Sequence, residues 1–138
     1  MLDTVADNNT HRMSPWSQVT PVMELGGIAK GAVRRLGELA RRPANWDGYG
    51  SPPLTMEAKS TAMTLLAAIG ERLNGVNIVQ VPGGGVQFEW GIGPRELELE
   101  ILPDGSIQFL VVQGEQMLDG DIENRRTLEA LLGWLWQS

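Results

Sequence analysis

The spacing of apolar residues along the chain changes from a helical period to a strand period. Over residues 22–42, apolar side chains recur every three or four positions, which predicts a first helix. The same spacing over residues 55–75 predicts a second helix that begins at Thr55 as its cap and ends at Asn74-Gly75. Between the two helices, residues 43–53 contain two glycines and three prolines, which predicts a loop.

Beyond residue 75, apolar and polar residues alternate, as in strands with one buried face. A three-residue loop, Pro103-Asp104-Gly105, would pair Ile101 with Ile107, Leu99 with Phe109 and Leu97 with Val111, and would keep their apolar side chains on one face. Residues 124–136 return to the helical period. The predicted strands are residues 76–81, 86–92, 97–101 and 107–111, with a short fifth strand over 116–118.

These elements predict an α+β fold. It has two N-terminal helices, a four- to five-stranded antiparallel meander and one C-terminal helix, with the helices on one face of the sheet. Residues 1–18 are polar and follow neither period, so we expect a flexible tail followed by a single domain over residues 19–138. Hydrophobic residues make up 42% of the 138 residues, which is enough for a packed core.

The composition excludes several chemistries. The chain has no cysteine and one histidine, so disulfides, thiol catalysis and histidine-rich metal sites are excluded. We expect no catalytic residue, no metal and no cofactor. No run of about 18 apolar residues and no secretory leader is visible, so we expect a cytoplasmic protein that does not bind membranes.

Negative charge is concentrated in the second half of the chain. Residues 1–75 hold eight basic and seven acidic side chains, whereas residues 76–138 hold three basic and ten acidic ones. Binding to nucleic acid or to an anionic membrane requires clustered Lys and Arg, so we expect neither. A protein partner with a basic surface is the natural complement of the acidic half.

One predicted strand carries a row of glutamates on its solvent side. Glu96, Glu98 and Glu100 alternate with apolar residues, and Glu89 lies on the same face of the preceding strand, opposite Glu98 or, with a longer loop, opposite Glu100. Like charges directly opposite each other destabilise a sheet, by about 0.2–1 kcal/mol. Such a face can be solvated and protect the strands from mispairing, bind a basic partner, or hold a divalent cation. It can also be covered by the basic residues of the first helix, which are Lys30, Arg34, Arg35, Arg41 and Arg42.

The loop between the two helices is aromatic. Trp46 and Tyr49 combine large apolar surfaces with polar tips, and Asp47 can cap its own turn. Two interpretations remain open. The loop locks the helix connection onto the sheet, or it recognises a partner or a small ligand.

The chain resembles a set of small, mostly uncharacterised bacterial proteins over residues 43–112. The resemblance implies the α+β architecture, places the aromatic loop and the glutamate strand in one unit, and transfers no catalytic residue. Its motifs are Asn45-Trp46-Asp47-Gly48-Tyr49-Gly50-Ser51-Pro52-Pro53 before a helix, Gly84-Gly85-Val86-Gln87-Phe88-Glu89-Trp90, the strand Leu97-Glu98-Leu99-Glu100-Ile101 and the turn Asp104-Gly105.

The sequence thus predicts a non-catalytic protein-binding module. One specific form is a neutralising factor, such as an antitoxin, immunity or anti-defence protein, that covers a basic active surface. An alternative is a small-ligand or divalent-metal-dependent enzyme or binding domain centred on the Trp46-Asp47-Tyr49 loop. A second alternative is a subunit of a larger complex that uses the basic first helix, Trp134 and Trp136 as contacts. The predicted partner-binding residues are Glu89, Glu96, Glu98, Glu100, Trp46, Asp47 and Tyr49.

Overall fold

The structure, a computed structural model, describes residues 26–137 and has three helices on one face of a five-stranded antiparallel sheet. The strands pair in the order in which they occur along the chain, so the predicted α+β meander is confirmed. The predicted tail over residues 1–18 lies outside the described residues. The helices are α1 (Gly27–Ala40), α2 (Met56–Ile69) and α3 (Arg125–Leu135), and the strands are β1 (Asn77–Val81), β2 (Gly85–Ile92), β3 (Arg95–Ile101), β4 (Ile107–Gln113) and β5 (Gln116–Ile122).

The second helix begins where the sequence predicts and ends earlier. Thr55 Oγ1 accepts a hydrogen bond from the backbone N–H of Ala58 at 3.0 Å, which satisfies one of the unpaired donors of the first turn. The α-helix ends at Ile69 because Gly70 adopts φ +63°, a conformation that glycine tolerates and that breaks the helix. The apolar spacing continues through a one-turn 3-10 helix, Gly70–Leu73, so the sequence pattern alone does not reveal the break.

The register between β3 and β4 follows the predicted three-residue loop. Ile101 pairs with Ile107, Leu99 with Phe109 and Leu97 with Val111, and Gly105 adopts φ +90° in the turn. The helices therefore cover the face that carries the apolar side chains. Fully buried side chains from this face pack against α1, α2 and α3, and they include Phe88, Leu97, Leu99 and Ile101.

The predicted fifth strand, residues 116–118, is too short. β5 continues to Ile122, and Gly120 pairs with Phe109 of β4. A Cβ at Gly120 would lie 2.9 Å from two atoms of the Phe109 ring, so the ring lies across the glycine. Asp and Gly have low strand propensity, which hides this part of the strand from the sequence pattern.

The buried side of β1 carries a polar residue. The sequence predicts a first strand over residues 76–81, and the strand buries Ile78 and Gln80. Alternate residues of a strand face the same side, so residue 80 follows residue 78 into the core and residue 81 does not. Gln80 is 7% exposed, and neither side-chain atom has a hydrogen-bond partner among residues 26–137.

Arg72 connects the 3-10 helix to both β2 and α3. Its guanidinium donates to the two carboxylate oxygens of Glu129 at 2.6 and 3.0 Å. Its carbonyl oxygen accepts from the indole N–H groups of Trp90 and Trp136, both at 3.2 Å. Trp136, which the sequence suggested as a contact within a larger complex, therefore anchors the end of α3 while remaining 37% exposed.

Candidate protein-binding surface

The face of the sheet opposite the helices carries six carboxylates, and within the described part of the chain none of its strand residues is basic. Four of these carboxylates are the predicted glutamates, and Asp119 and Asp121 extend the set onto β5. Sequence reasoning missed the two aspartates because it ended the fifth strand at residue 118, although the alternation with Leu118, Gly120 and Ile122 continues. We call this surface the acidic face, and its carboxylates are Glu89, Glu96, Glu98, Glu100, Asp119 and Asp121.

The register places two glutamates directly opposite each other at the centre of this face. Glu89 of β2 pairs with Glu98 of β3, which confirms the shorter of the two predicted turns. The two-residue turn is closed by the hydrogen-bonded pair Ile92 and Arg95. From this pair, non-hydrogen-bonded and hydrogen-bonded pairs alternate along the two strands. Glu89 and Glu98 are therefore a non-hydrogen-bonded pair, whose Cα atoms lie about 4.5 Å apart and whose side chains lie closest together.

Burial raises the pKa of Glu98, and the nearby carboxylates of Glu89, Glu96 and Glu100 raise it further. The Glu89 carboxylate accepts hydrogen bonds from Asn77 Nδ2 at 3.1 Å and from Gln87 Nε2 at 2.7 Å. Both donors are neutral amides, which orient the carboxylate without cancelling its charge. Among residues 26–137, no ion pair neutralises a carboxylate of the acidic face. The ion pairs of the described residues involve Glu38 and Glu129 instead, and they are Arg35–Glu38, Arg72–Glu129 and Arg125–Glu129.

A depression of about 510 Å³ crosses the acidic face from β2 to β5. Leu110 of β4 lies within it, flanked in register by Glu98 on one side and Asp119 on the other. Glu100 and Asp121 line the same depression. The arrangement combines an apolar centre with surrounding carboxylates, which suits a partner that offers both an apolar contact and cationic side chains.

The basic residues of α1 do not cover the acidic face, so the internal explanation for the glutamate row is wrong. α1 packs against α2, the 3-10 helix and β1 on the helical side of the sheet. Arg35 Nε donates to the carbonyl oxygen of Ile78 at 3.1 Å, at the outer edge of β1, and the Arg35 guanidinium lies 3.9 Å from Glu38. Arg42 lies over the ring of Trp46, 5.6 Å from the ring centroid.

In the aromatic loop, the Asp47 carboxylate is used to build the loop itself. Oδ1 accepts from the backbone N–H groups of Tyr49 at 2.9 Å and Ser51 at 3.4 Å, and Oδ2 accepts from Ser51 Oγ at 2.6 Å. These bonds, that from the Ser51 hydroxyl first, lower the pKa of Asp47. The carboxylate is thereby held in its ionised form as the acceptor that closes the turn.

The two aromatic residues of the loop have different environments. Trp46 Nε1 donates to the carbonyl oxygen of Pro52 at 3.2 Å, so this indole, like Asp47, holds the loop together. Tyr49 is 91% exposed. Among the described residues, no hydrogen bond joins Trp46, Asp47 or Tyr49 to the four predicted glutamates. The predicted site thus consists of an acidic face and a separately constructed loop.

Among residues 26–137, no group of three or more His, Asp or Glu side chains is arranged to hold a metal ion. None of the helices described is long and apolar enough to cross a membrane. Comparison of the chain with models of known protein families, with curated proteins and with solved structures gave no match.

Proposed function

We propose that this protein is a non-catalytic binding module whose acidic face binds a basic surface of another protein. The observation that carries the proposal is the Glu89–Glu98 pair. Two carboxylates lie directly opposite each other on neighbouring strands, and no cation among the described residues neutralises them. Such a pair destabilises the free protein by about 0.2–1 kcal/mol. A cation that binds beside the two carboxylates relieves this repulsion, which favours the complex.

The position of the charge supports binding over protection of the sheet edge. Charged residues that prevent mispairing are needed on edge strands, where unpaired backbone groups are exposed. Glu96, Glu98 and Glu100 lie on β3, the central strand, which pairs with β2 on one side and β4 on the other. Edge protection therefore does not account for this row of charge.

The chemistry of the face indicates the kind of partner. Six carboxylates attract a basic protein over a distance of about 10 Å at 0.1 M ionic strength and steer its approach. Leu110, within the acidic depression, offers an apolar contact beneath the charged groups. Arg is the best match, since its planar guanidinium pairs with two carboxylate oxygens while its stem covers apolar surface. A neutralising factor that covers a basic active surface is one protein of this type.

The test is affinity purification from an extract of the native cells with the wild type, Glu98→Gln/Glu100→Gln and the control Glu57→Gln/Glu71→Gln. Both double variants lose the same charge, but Glu57 and Glu71 are exposed residues of the helical layer. We expect the wild type and the control to retain one protein in stoichiometric amount at low salt and to release it at high salt. The acidic-face variant should bind this protein at least tenfold more weakly.

Circular dichroism must show that all three proteins are folded. If both double variants retain the same proteins as the wild type, or if no protein is retained by the wild type, the acidic face is not a protein-binding surface.

A further inference from the structure

Within the described part of the chain, one edge of the sheet is open for pairing. β5 is the last strand, and among residues 26–137 no backbone group pairs with its outer edge. The β4–β5 turn is closed by the hydrogen-bonded pair Gln113 and Gln116, and bonded and non-bonded pairs alternate from there. Met117, Asp119 and Asp121 are therefore in non-hydrogen-bonded pairs with β4, and their backbone N–H and C=O groups point outward. The opposite edge, at β1, is partly occupied by the Arg35 side chain of α1.

Among residues 26–137, an open groove lies on the helical side of this edge, lined by both apolar and polar side chains. Leu118 pairs with Val111 and points to the same side as the core residues, yet among the described residues it is 63% exposed. The groove has a volume of about 450 Å³, and Trp134 of α3 forms part of its wall. Its other lining residues are Val111, Gln113, Gln116 and Met117.

We propose that β5 accepts an extended segment of the partner as a sixth strand, and that basic and apolar residues alternate in this segment. The basic character of the segment rests on the proposed function. In an added strand, successive side chains point to opposite faces. Its basic side chains would lie about 5 Å from Asp119 and Asp121 on the acidic face, and its apolar side chains would enter the groove beside Leu118 and Trp134.

Charge argues against a second copy of this chain as the occupant. Pairing β5 with β5 in antiparallel register about Asp119 would place the two Asp119 carboxylates opposite each other and bring Asp121 of each copy beside the acidic face of the other. The same charges attract a strand that presents Lys or Arg at alternate positions. The open edge therefore selects for a basic strand and against self-pairing.

The probe is a fluorescein-labelled peptide of eight residues in which Lys and Val alternate, with binding followed by fluorescence anisotropy at low salt. The control peptide has the same sequence with N-methyl groups on alternate backbone amides, which keeps the charge and removes the donors needed for pairing. We expect the control to bind at least tenfold more weakly. Asp119→Asn/Asp121→Asn and Leu118→Ser should each weaken the unmodified peptide at least fivefold, and Glu57→Gln/Glu71→Gln should not.

Hydrogen exchange provides a second readout. Saturating peptide should slow amide exchange at Met117, Asp119 and Asp121. Equal affinity for the two peptides, or unchanged exchange at these amides, would overturn strand addition. The proposed function would still stand if Glu98→Gln/Glu100→Gln abolished partner binding. A concentration-dependent doubling of mass in light scattering that Leu118→Ser removes would identify a second copy as the occupant and also overturn the proposal.

Discussion

Replacing Glu98 with Gln is expected to make the protein more stable at pH 7. Glu98 is half-buried on the central strand, faces Glu89 directly, and accepts no hydrogen bond from a described residue that the change would remove. Gln keeps the shape of the side chain and removes its charge. Both causes of the raised pKa of Glu98, burial and neighbouring carboxylates, favour the neutral form in the folded protein.

The size of the effect follows from the cross-strand repulsion. A like-charge pair in this geometry destabilises the sheet by about 0.2–1 kcal/mol, and burial of the charge adds to it. We therefore expect Glu98→Gln to raise the free energy of unfolding by about 0.5–1 kcal/mol at low ionic strength. For a domain of this size, that corresponds to a rise of about 2–4 °C in Tm.

The pH dependence separates charge from packing. Because the pKa of Glu98 is raised in the folded state, its ionisation destabilises the protein above that pKa, and this loss is relieved as the pH falls through it. The difference between variant and wild type should thus be largest near pH 7 and disappear below about pH 4. It should also shrink between 0.1 and 1 M salt, where the screening length falls from about 10 to about 3 Å.

The assay is urea denaturation followed by tryptophan fluorescence at several pH values. Glu71→Gln is the matched control, since Glu71 is exposed in the helical layer, and its stability should stay within about 0.5 kcal/mol of the wild type. If Glu98→Gln lowers stability at pH 7, or raises it equally at pH 7 and at pH 3.5, the reasoning from charge repulsion is wrong.

Three further changes test contacts on the helical side of the sheet. Gln80→Leu should raise the free energy of unfolding by about 1–2 kcal/mol, since it removes a buried amide without a described partner; a decrease in urea denaturation would mean that the amide is hydrogen-bonded. Gly120→Ala should lower the free energy of unfolding by about 1–3 kcal/mol, and Tm with it, because the added methyl group clashes with the Phe109 ring. Adding Phe109→Leu to this variant should recover part of the lost stability. An unchanged Tm in Gly120→Ala would contradict the close approach of the ring. Glu129→Gln should lower the free energy of unfolding at pH 7 by up to about 1 kcal/mol, because the hydrogen bond from Arg72 lowers the pKa of this half-exposed carboxylate. The stability that the ionised Glu129 contributes is lost as the pH falls through that pKa. A difference between variant and wild type that persisted at pH 2.5 would show that the charge of Glu129 is not responsible.

The sequence was sufficient for the register of the sheet because two faces with different chemistry allow few pairings. A two-residue turn would pair Ile101 with Gln108 and mix the core and solvent faces, whereas the three-residue loop at 103–105 keeps them apart. The same alternation identified four carboxylates of the acidic face. Local pattern thus determined both the fold class and the centre of the candidate site.

Features that depend on contacts distant in sequence could not be predicted. Arg72 and Glu129 are 57 residues apart, and a single arginine gives no signal of a partner in another helix. The second half of β5 contains Asp and Gly, whose strand propensity is low, and the Phe109 ring that packs over Gly120 comes from another strand. The Asp47 contacts, by contrast, are local, and the sequence already predicted that this carboxylate can cap its own turn.

Under the proposed function, the arrangement of charge on the acidic face links stability to binding. Three rows of paired residues cross the acidic face, and in the central one Glu89, Glu98, Leu110 and Asp119 are neighbours in register. A partner that covers Leu110 excludes water from the carboxylates beside it, which strengthens each charge-assisted contact but also makes an unpaired carboxylate more costly. Cationic groups must therefore accompany the apolar contact. Neutral substitutions of Glu98 should therefore stabilise the free protein and weaken the complex. This inverse relation is expected where a surface is retained for function at a cost in stability.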